Sequence, residues 1–151
     1  MELIRVKAQD AVTLWEMQVE AFSELLEKYQ DFDTNPACEK VDKVRARLTD
    51  GSFYYFICVN GQKVGAIRIV MQQDNTKRLS PIFIMKQHRG KGYAQAAVKL
   101  AESIHGEYGW SLETIMQEKG NCHLYEKLGY KSTGKTLKIN DKMDLIYYIK
   151  D

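Results

Sequence analysis

Nowhere in the 151 residues does an apolar run approach the ~20 that a membrane-spanning helix requires, and residues 1–10 carry charges throughout. No membrane span is expected, and the chain is expected to stay in the cytoplasm. Cysteine is scarce: Cys38, Cys58 and Cys122 are odd in number and far apart, without the paired spacing of a zinc site or a disulfide framework. No metal is expected, the adjacent pair Cys122-His123 lacking a second pair of ligands, and Cys58 reads as a strand core residue. An excess of one charge is also missing, since a formal net charge of +2 is too small to draw nucleic acid or a membrane surface by bulk electrostatics. No repeat, linker or low-complexity stretch divides the chain. With 44% hydrophobic residues, it is expected to fold as one domain, residues 1–151, with a sizeable core.

Periodicity supplies the elements. Ile4, Val6 and Ala8 alternate as a short strand, after which Asp10 caps a helix to about Tyr29 with Val12, Trp15, Val19, Phe22, Leu26 and Tyr29 as its buried stripe. Asn35 and Pro36 read as N-cap and first residue of a second helix carrying Val41, Val44 and Leu48 and ending at Asp50-Gly51. Strands over 53–59 and 62–71 flank Asn60-Gly61, a strong hairpin signal. A strand over about 79–85 leads through a glycine loop to a helix with Tyr93, Ala97, Leu100 and Ile104 on one face, closed by Gly106 or Gly109. A strand near 110–117, a short helix near 122–128 and a hairpin turning at Asn140-Asp141 follow. The order β-α-α-β-β-β-α-β-α-β-β predicts an α/β sheet with helices on both faces.

The glycine loop is Gln87-His88-Arg89-Gly90-Lys91-Gly92-Tyr93-Ala94. A strand that enters a glycine turn and then a helix aims free N–H groups and the positive end of the helix dipole at one point, which binds anions. Gly90 and Gly92 allow close approach of a pyrophosphate, and Lys86, Arg89 and Lys91 add positive charge. An ATP-type loop would need Gly-x-x-x-x-Gly-Lys-Ser/Thr, which is absent. A dinucleotide fingerprint would need a third glycine where Gln95 stands, and Glu113, at about the right distance for its acidic residue, falls in mid-strand. A nucleotide-binding oxidoreductase is disfavoured accordingly.

Gln87-His88-Arg89-Gly90-Lys91-Gly92 fits the pattern Gln/Arg-x-x-Gly-x-Gly/Ala of the GNAT N-acetyltransferases, and Leu124-Tyr125-Glu126-Lys127-Leu128-Gly129-Tyr130 resembles the family's Leu-Tyr-x-x-Leu-Gly-Phe/Tyr segment. The resemblance spans nearly the whole chain. It implies a mixed central sheet of about seven strands, acetyl-CoA as co-substrate, and direct attack of an amine on the acetyl carbonyl through a tetrahedral intermediate. It further implies contacts to the donor from Gln87, His88, Arg89, Gly90, Lys91, Gly92, Tyr93 and Ala94. Ile84 and Met85 would offer main-chain groups to the pantetheine arm and the acetyl carbonyl, and Asn121 a contact to that arm, although relatives often carry this asparagine farther from the tyrosine. Tyr125 corresponds to the tyrosine that protonates the leaving thiolate; Tyr130 reads as a core aromatic.

The acceptor is read from charge. Glu16, Glu20, Glu24, Glu27, Asp31, Asp33 and Glu39 stand against Lys28 alone, in the segment that walls the acceptor site in the family, and this favours a cationic amine such as a polyamine, an amino sugar or a lysine-bearing peptide. A solvated helix face is the better account of Glu16, Glu20 and Glu24, and the loop from Glu27 to Asp33 is the better candidate for the acceptor wall. Glu113, Glu118 or a water chain could take the proton from an amine whose pKa is about 10.4. A domain of this fold that binds acyl-CoA without turnover is the alternative, and a homodimer is an open expectation.

Overall fold

Seven strands and four helices succeed one another in the computed structural model, which describes residues 1–151: β1 (Glu2–Arg5), α1 (Ala11–Tyr29), α2 (Val41–Arg47), β2 (Phe53–Val59), β3 (Gln62–Met71), β4 (Lys77–Ile84), α3 (Tyr93–His105), β5 (Trp110–Ile115), α4 (Lys119–Lys127), β6 (Lys131–Lys138) and β7 (Asp144–Lys150). They form one sheet in the order β1-β2-β3-β4-β5-β7-β6. All neighbours are antiparallel except β4 and β5. No helix is long and apolar enough to cross a membrane.

The β2–β3 hairpin turns at Asn60 and Gly61, whose φ angles of 52° and 76° suit the turn that matches strand twist. Its residues divide between two cores because side chains alternate along a strand. Tyr55 and Ile57 pack with Ala97, Val98 and Ala101 of α3 and with Cys122 and Tyr125 of α4. Tyr54, Phe56 and Cys58 pack on the other face with Leu14 and Ala21 of α1 and Val44 of α2. Helices thus cover both faces. Between β3 and β4 the backbones approach so closely at Gly65 that an added Cβ would lie 2.1 Å from the Phe83 carbonyl oxygen. Buried Lys77 at the start of β4 donates to the His105 carbonyl at 2.8 Å, meeting the negative end of the α3 dipole and fixing that helix to the strand that precedes it.

Three expectations need correction. Helix α1 spans the residues anticipated, but its buried stripe is Ala11, Leu14, Gln18, Ala21 and Tyr29, while Val12 is exposed. The helix is rotated because a polar residue lies inside: the Gln18 amide donates to the Pro36 carbonyl at 2.9 Å and to Glu39 at 2.7 Å and accepts from the Tyr54 hydroxyl. Apolar periodicity cannot anticipate a satisfied buried glutamine. Asn35 does cap Pro36, accepting from Ala37 N at 2.7 Å, yet the helix there is one 3-10 turn ending at Cys38. Glu39 is extended, and its carboxylate takes two hydrogen bonds from Arg47 at 2.8 and 2.6 Å, so α2 begins only at Val41. Ile4 and Ile104 are exposed, since β1 is an edge strand and α3 turns Val98 and Glu102 inward instead.

Candidate active site

Strands β4 and β5 pair at only two positions, Lys77 with Trp110 and Arg78 with Ser111. Beyond these they diverge, although β4 continues to Ile84 and β5 to Ile115. A cleft of about 690 Å³ occupies the gap, with α1 on one side and α3 and α4 on the other. Met85 donates its N–H to the Val64 carbonyl at 2.8 Å, so by the alternation of an antiparallel ladder Ile84 turns its N–H and C=O away from β3, toward the gap. Met85 departs from expectation here: its N–H is taken by Val64 and its carbonyl accepts from His88 N at 2.9 Å, leaving no free main-chain group. Only Ile84 of the two lines the cleft.

At the end of β4 the chain makes a short 3-10 turn over Lys86–His88 and reaches Gly90 and Gly92 with φ angles of 78° and 77°. These left-handed values favour glycine, and nothing lies within 4 Å of a Cβ built on either residue, so the loop presents bare backbone. Gly92 caps α3 without a side-chain hydrogen bond, and the N–H groups of residues 90–95 have no acceptor within the protein. Six unpaired donors at the positive end of a helix of 13 residues make an anion site that suits a diphosphate.

The loop's cations have another task. Arg89 donates to the Ile84 carbonyl and to the Ala21 carbonyl, both at 2.8 Å, and its guanidinium lies 3.7 Å from Glu24. Lys86 pairs with the same glutamate, and its hydrogen bond and charge hold the Glu24 carboxyl below the usual carboxylate range. Arg89 therefore ties the loop and β4 to α1. His88, Arg89, Gly90, Gly92, Tyr93 and Ala94 line the cleft; Gln87 and Lys91 are exposed and do not.

Helix α4 contributes from the β5 side. Glu118, Asn121 and Tyr125 stand at spacings of three and seven residues, so they share one helix face, and all three line the cleft. Cys122 and His123 point apart, one buried and one exposed. Tyr125 is 8% exposed and stacks edge-on with Tyr130, which is core as expected and donates to Glu102 at 2.8 Å. Every fully buried side-chain polar atom in the chain has a partner, whereas the Tyr125 hydroxyl has none, so that hydroxyl opens on the cleft. Burial pushes its pKa up to about 12.

Four acidic residues from three segments line the cleft. Glu24 is paired as described. Asp31 turns back on its own chain, accepting from Thr34 N at 3.0 Å and from the Thr34 hydroxyl. Glu113 holds Arg78 through two hydrogen bonds of 2.9 and 2.6 Å. Glu118 accepts from Lys28 Nζ at 2.7 Å and from the Tyr29 hydroxyl. Burial raises the Glu118 pKa, but the hydrogen bonds from Lys28 and Tyr29 and the Lys28 charge outweigh it, and the net shift is downward. Glu16 and Glu20 are solvated, and Glu27 and Asp33 are exposed outside the cleft. Ala21, Phe22 and Leu25 of α1, Leu124 of α4 and Met143 before β7 also line it. Leu124 belongs to the Leu-Tyr segment, but no motif marks the others; the rotation of α1 and the folding back of the last hairpin bring them in.

Comparison with known proteins agrees with this geometry. The sequence model of the acetyltransferase (GNAT) family matches residues 12–130. N-acetyltransferase 8 of Rattus norvegicus is 25% identical over 122 residues, 75% of this chain and 53% of that protein, so the chain spans about half the length of this relative. Spermidine N-acetyltransferase from Vibrio cholerae, solved with CoA and spermine, superposes with a TM-score of 0.76 at 15% identity, over 97% of this chain and 92% of that one. The paia N-acetyltransferase from Thermoplasma acidophilum, solved with coenzyme A, gives 0.74 at 14% identity over 99% and 98%. At such identities the structural matches establish the fold.

Proposed function

The chain belongs to the acetyltransferase (GNAT) family, and from that premise we propose that it transfers an acetyl group from acetyl-CoA to a primary amine of a small molecule or peptide, with a cationic acceptor preferred. The observation that carries the reading is the divergence of β4 and β5 after two paired residues, toward six unpaired N–H groups at the start of α3. A diphosphate at one end and an extended arm along a free strand edge are what such a gap accommodates, and coenzyme A has both parts. Solved relatives of the same fold carry it.

On this reading the N–H groups of residues 90–95 hold the pyrophosphate, and the Ile84 N–H, turned to the gap, hydrogen-bonds the arm or the acetyl oxygen, where a fixed donor stabilises developing negative charge. His88, Tyr93, Ala94 and Asn121 flank the arm. In the reaction a nitrogen–carbon bond forms, the carbon–sulfur bond breaks, and one proton passes from the neutral amine nitrogen, by way of water, to the leaving thiolate. Tyr125 is the group at the sulfur. At a pKa of about 12 its phenol is fully protonated at neutral pH, and a thiol titrates near 8.5, so complete proton transfer is uphill by about 3–4 pKa units. Tyr125 therefore acts mainly by donating a hydrogen bond to the leaving thiolate.

Thermal shift with acetyl-CoA, NAD and ATP tests the donor, with stabilisation by acetyl-CoA alone expected. Free-thiol release across an amine panel tests the reaction. Stabilisation without thiol release from any amine would favour a domain that binds acyl-CoA without turnover.

A further inference from the structure

We propose that Glu118, with Tyr29 beside it, is the seat for the ammonium group of the acceptor, and that Lys28 is an internal competitor for that seat. The proposal rests on the acyltransferase reading for the nature of the cleft, and on the side chains of this chain for the rest. A primary ammonium, the group a cationic amine brings, already lies against the Glu118 carboxylate, 2.7 Å from Oε2. Both hydrogen bonds to this carboxylate, from Lys28 and from the Tyr29 hydroxyl, fall on Oε2, so Oε1 has no partner.

The carboxylate is held ready. Tyr29 is buried, and its main-chain carbonyl accepts from Asn140 Nδ2 at 2.9 Å, so the end of α1, the start of α4 and the last hairpin meet at this point. Its cationic partner is loosely held: the Lys28 side chain is 61% exposed against 23% for Glu118, and exposed ion pairs are weak. Two other carboxylates of the cleft are committed: Glu113 is locked in a two-point pair with Arg78, and Asp31 is held by the Thr34 backbone. Glu24 is half-exposed and faces two cations, Lys86 and Arg89, which would repel an incoming ammonium. Glu118 answers to one mobile lysine. It also shares a face of α4 with Tyr125, about 10 Å of helix axis away, a span suited to an acceptor anchored by one amine while another reaches the sulfur end.

Titration calorimetry with spermidine, with aniline as a neutral amine, and with CoA tests this on the wild-type chain, Lys28→Met and Glu118→Gln. Lys28→Met should bind spermidine about three- to tenfold more tightly, because a competing cation is gone, and Glu118→Gln at least tenfold more weakly. Aniline and CoA should change less than about twofold. Unchanged or weaker spermidine binding by Lys28→Met overturns the proposal, as does wild-type affinity in Glu118→Gln. Parallel loss of CoA affinity in Glu118→Gln overturns it too, since Glu118 would then act by holding α4. Should Glu118→Gln fail to fold, Lys28→Met decides alone. Absence of thiol release by the wild-type chain with every amine would remove the acyltransferase reading while leaving the ordering of spermidine affinities to judge the seat.

Discussion

The two walls of the cleft are made of different material. On the α3 side the functional atoms are main-chain N–H groups of consecutive residues 90–95, held by two glycines in left-handed conformation. Where the end of α1 meets the start of α4 they are side chains from distant segments: Tyr29 and Glu118, 89 residues apart in sequence, share one hydrogen bond, and Asn140 reaches back 111 residues to hold Tyr29. A wall built from contiguous backbone depends little on the neighbouring side chains. One assembled from side chains can be retuned by a single substitution.

The sharpest way to break that contrast is to put a charge on the backbone wall. Gly90→Asp sets a carboxylate among the unpaired N–H groups at a residue whose Cβ position is open, in a left-handed conformation that aspartate adopts at a modest cost in strain. The Michaelis constant for acetyl-CoA should rise about a hundredfold while Tm moves only a few degrees, as steady-state kinetics and a melting curve would reveal. A comparable loss of stability would mean that the glycine serves the fold. Next in size, Tyr125→Phe should lower kcat about ten- to a hundredfold with the Michaelis constants little changed. Unchanged turnover at saturating substrate would remove Tyr125 from the mechanism. Since its phenol titrates near 12, no activity loss below about pH 10 should disappear in this variant.

Smaller effects come from the joints between the walls. Arg89→Ala removes two hydrogen bonds to carbonyls, one on each wall, and leaves Glu24 with Lys86 alone. Partly exposed as it is, Arg89 should account for about 1–2 kcal/mol in denaturant unfolding, and its loss should raise the Michaelis constants for donor and acceptor together. An effect on one substrate only would assign Arg89 to a single wall. The smallest effect expected is on the acid limb of stability. Glu39 and Glu118 both titrate lower in the fold than in the unfolded chain: burial opposes this, but Arg47 and Gln18 for the first, and Lys28 and Tyr29 for the second, prevail. Their contribution is present above the unfolded value of about 4.3 and is lost as pH falls through the folded values. Tm should hold from neutrality to about pH 5 and then decline, and Glu118→Gln should flatten that decline by only about 1–2 °C. A steeper change would mean that the Glu118 pair is a structural support and no exchangeable seat.

Legibility followed the same division. The β2–β3 hairpin, the order of elements and the glycine loop could be read because each depends on residues adjacent in the chain: an Asn-Gly turn, alternation, a strand running into Gly90 and Gly92. The face of α1 could not, because Gln18 is satisfied by Pro36, Glu39 and Tyr54, none of which is its neighbour in sequence. For the same reason composition cannot say which members of the acidic segment reach the cleft: Asp31 of the favoured loop does, and so does Glu24 of the helix face expected to be solvated, while Glu118, 87 residues beyond Asp31, joins them there. Met85 lies one place off in the strand alternation, since pairing with Val64 decides which way its N–H points.

By itself the sequence determined the local geometry on which the donor site depends, because glycine conformation, strand alternation and helix start are settled within a few residues by steric and hydrogen-bonding limits. Only the tertiary structure decided where β4 and β5 part, which face α1 turns inward and that Lys28 and Tyr29 meet Glu118. Those outcomes depend on packing two cores against opposite faces of one sheet, and packing is a property of groups brought together across the whole chain.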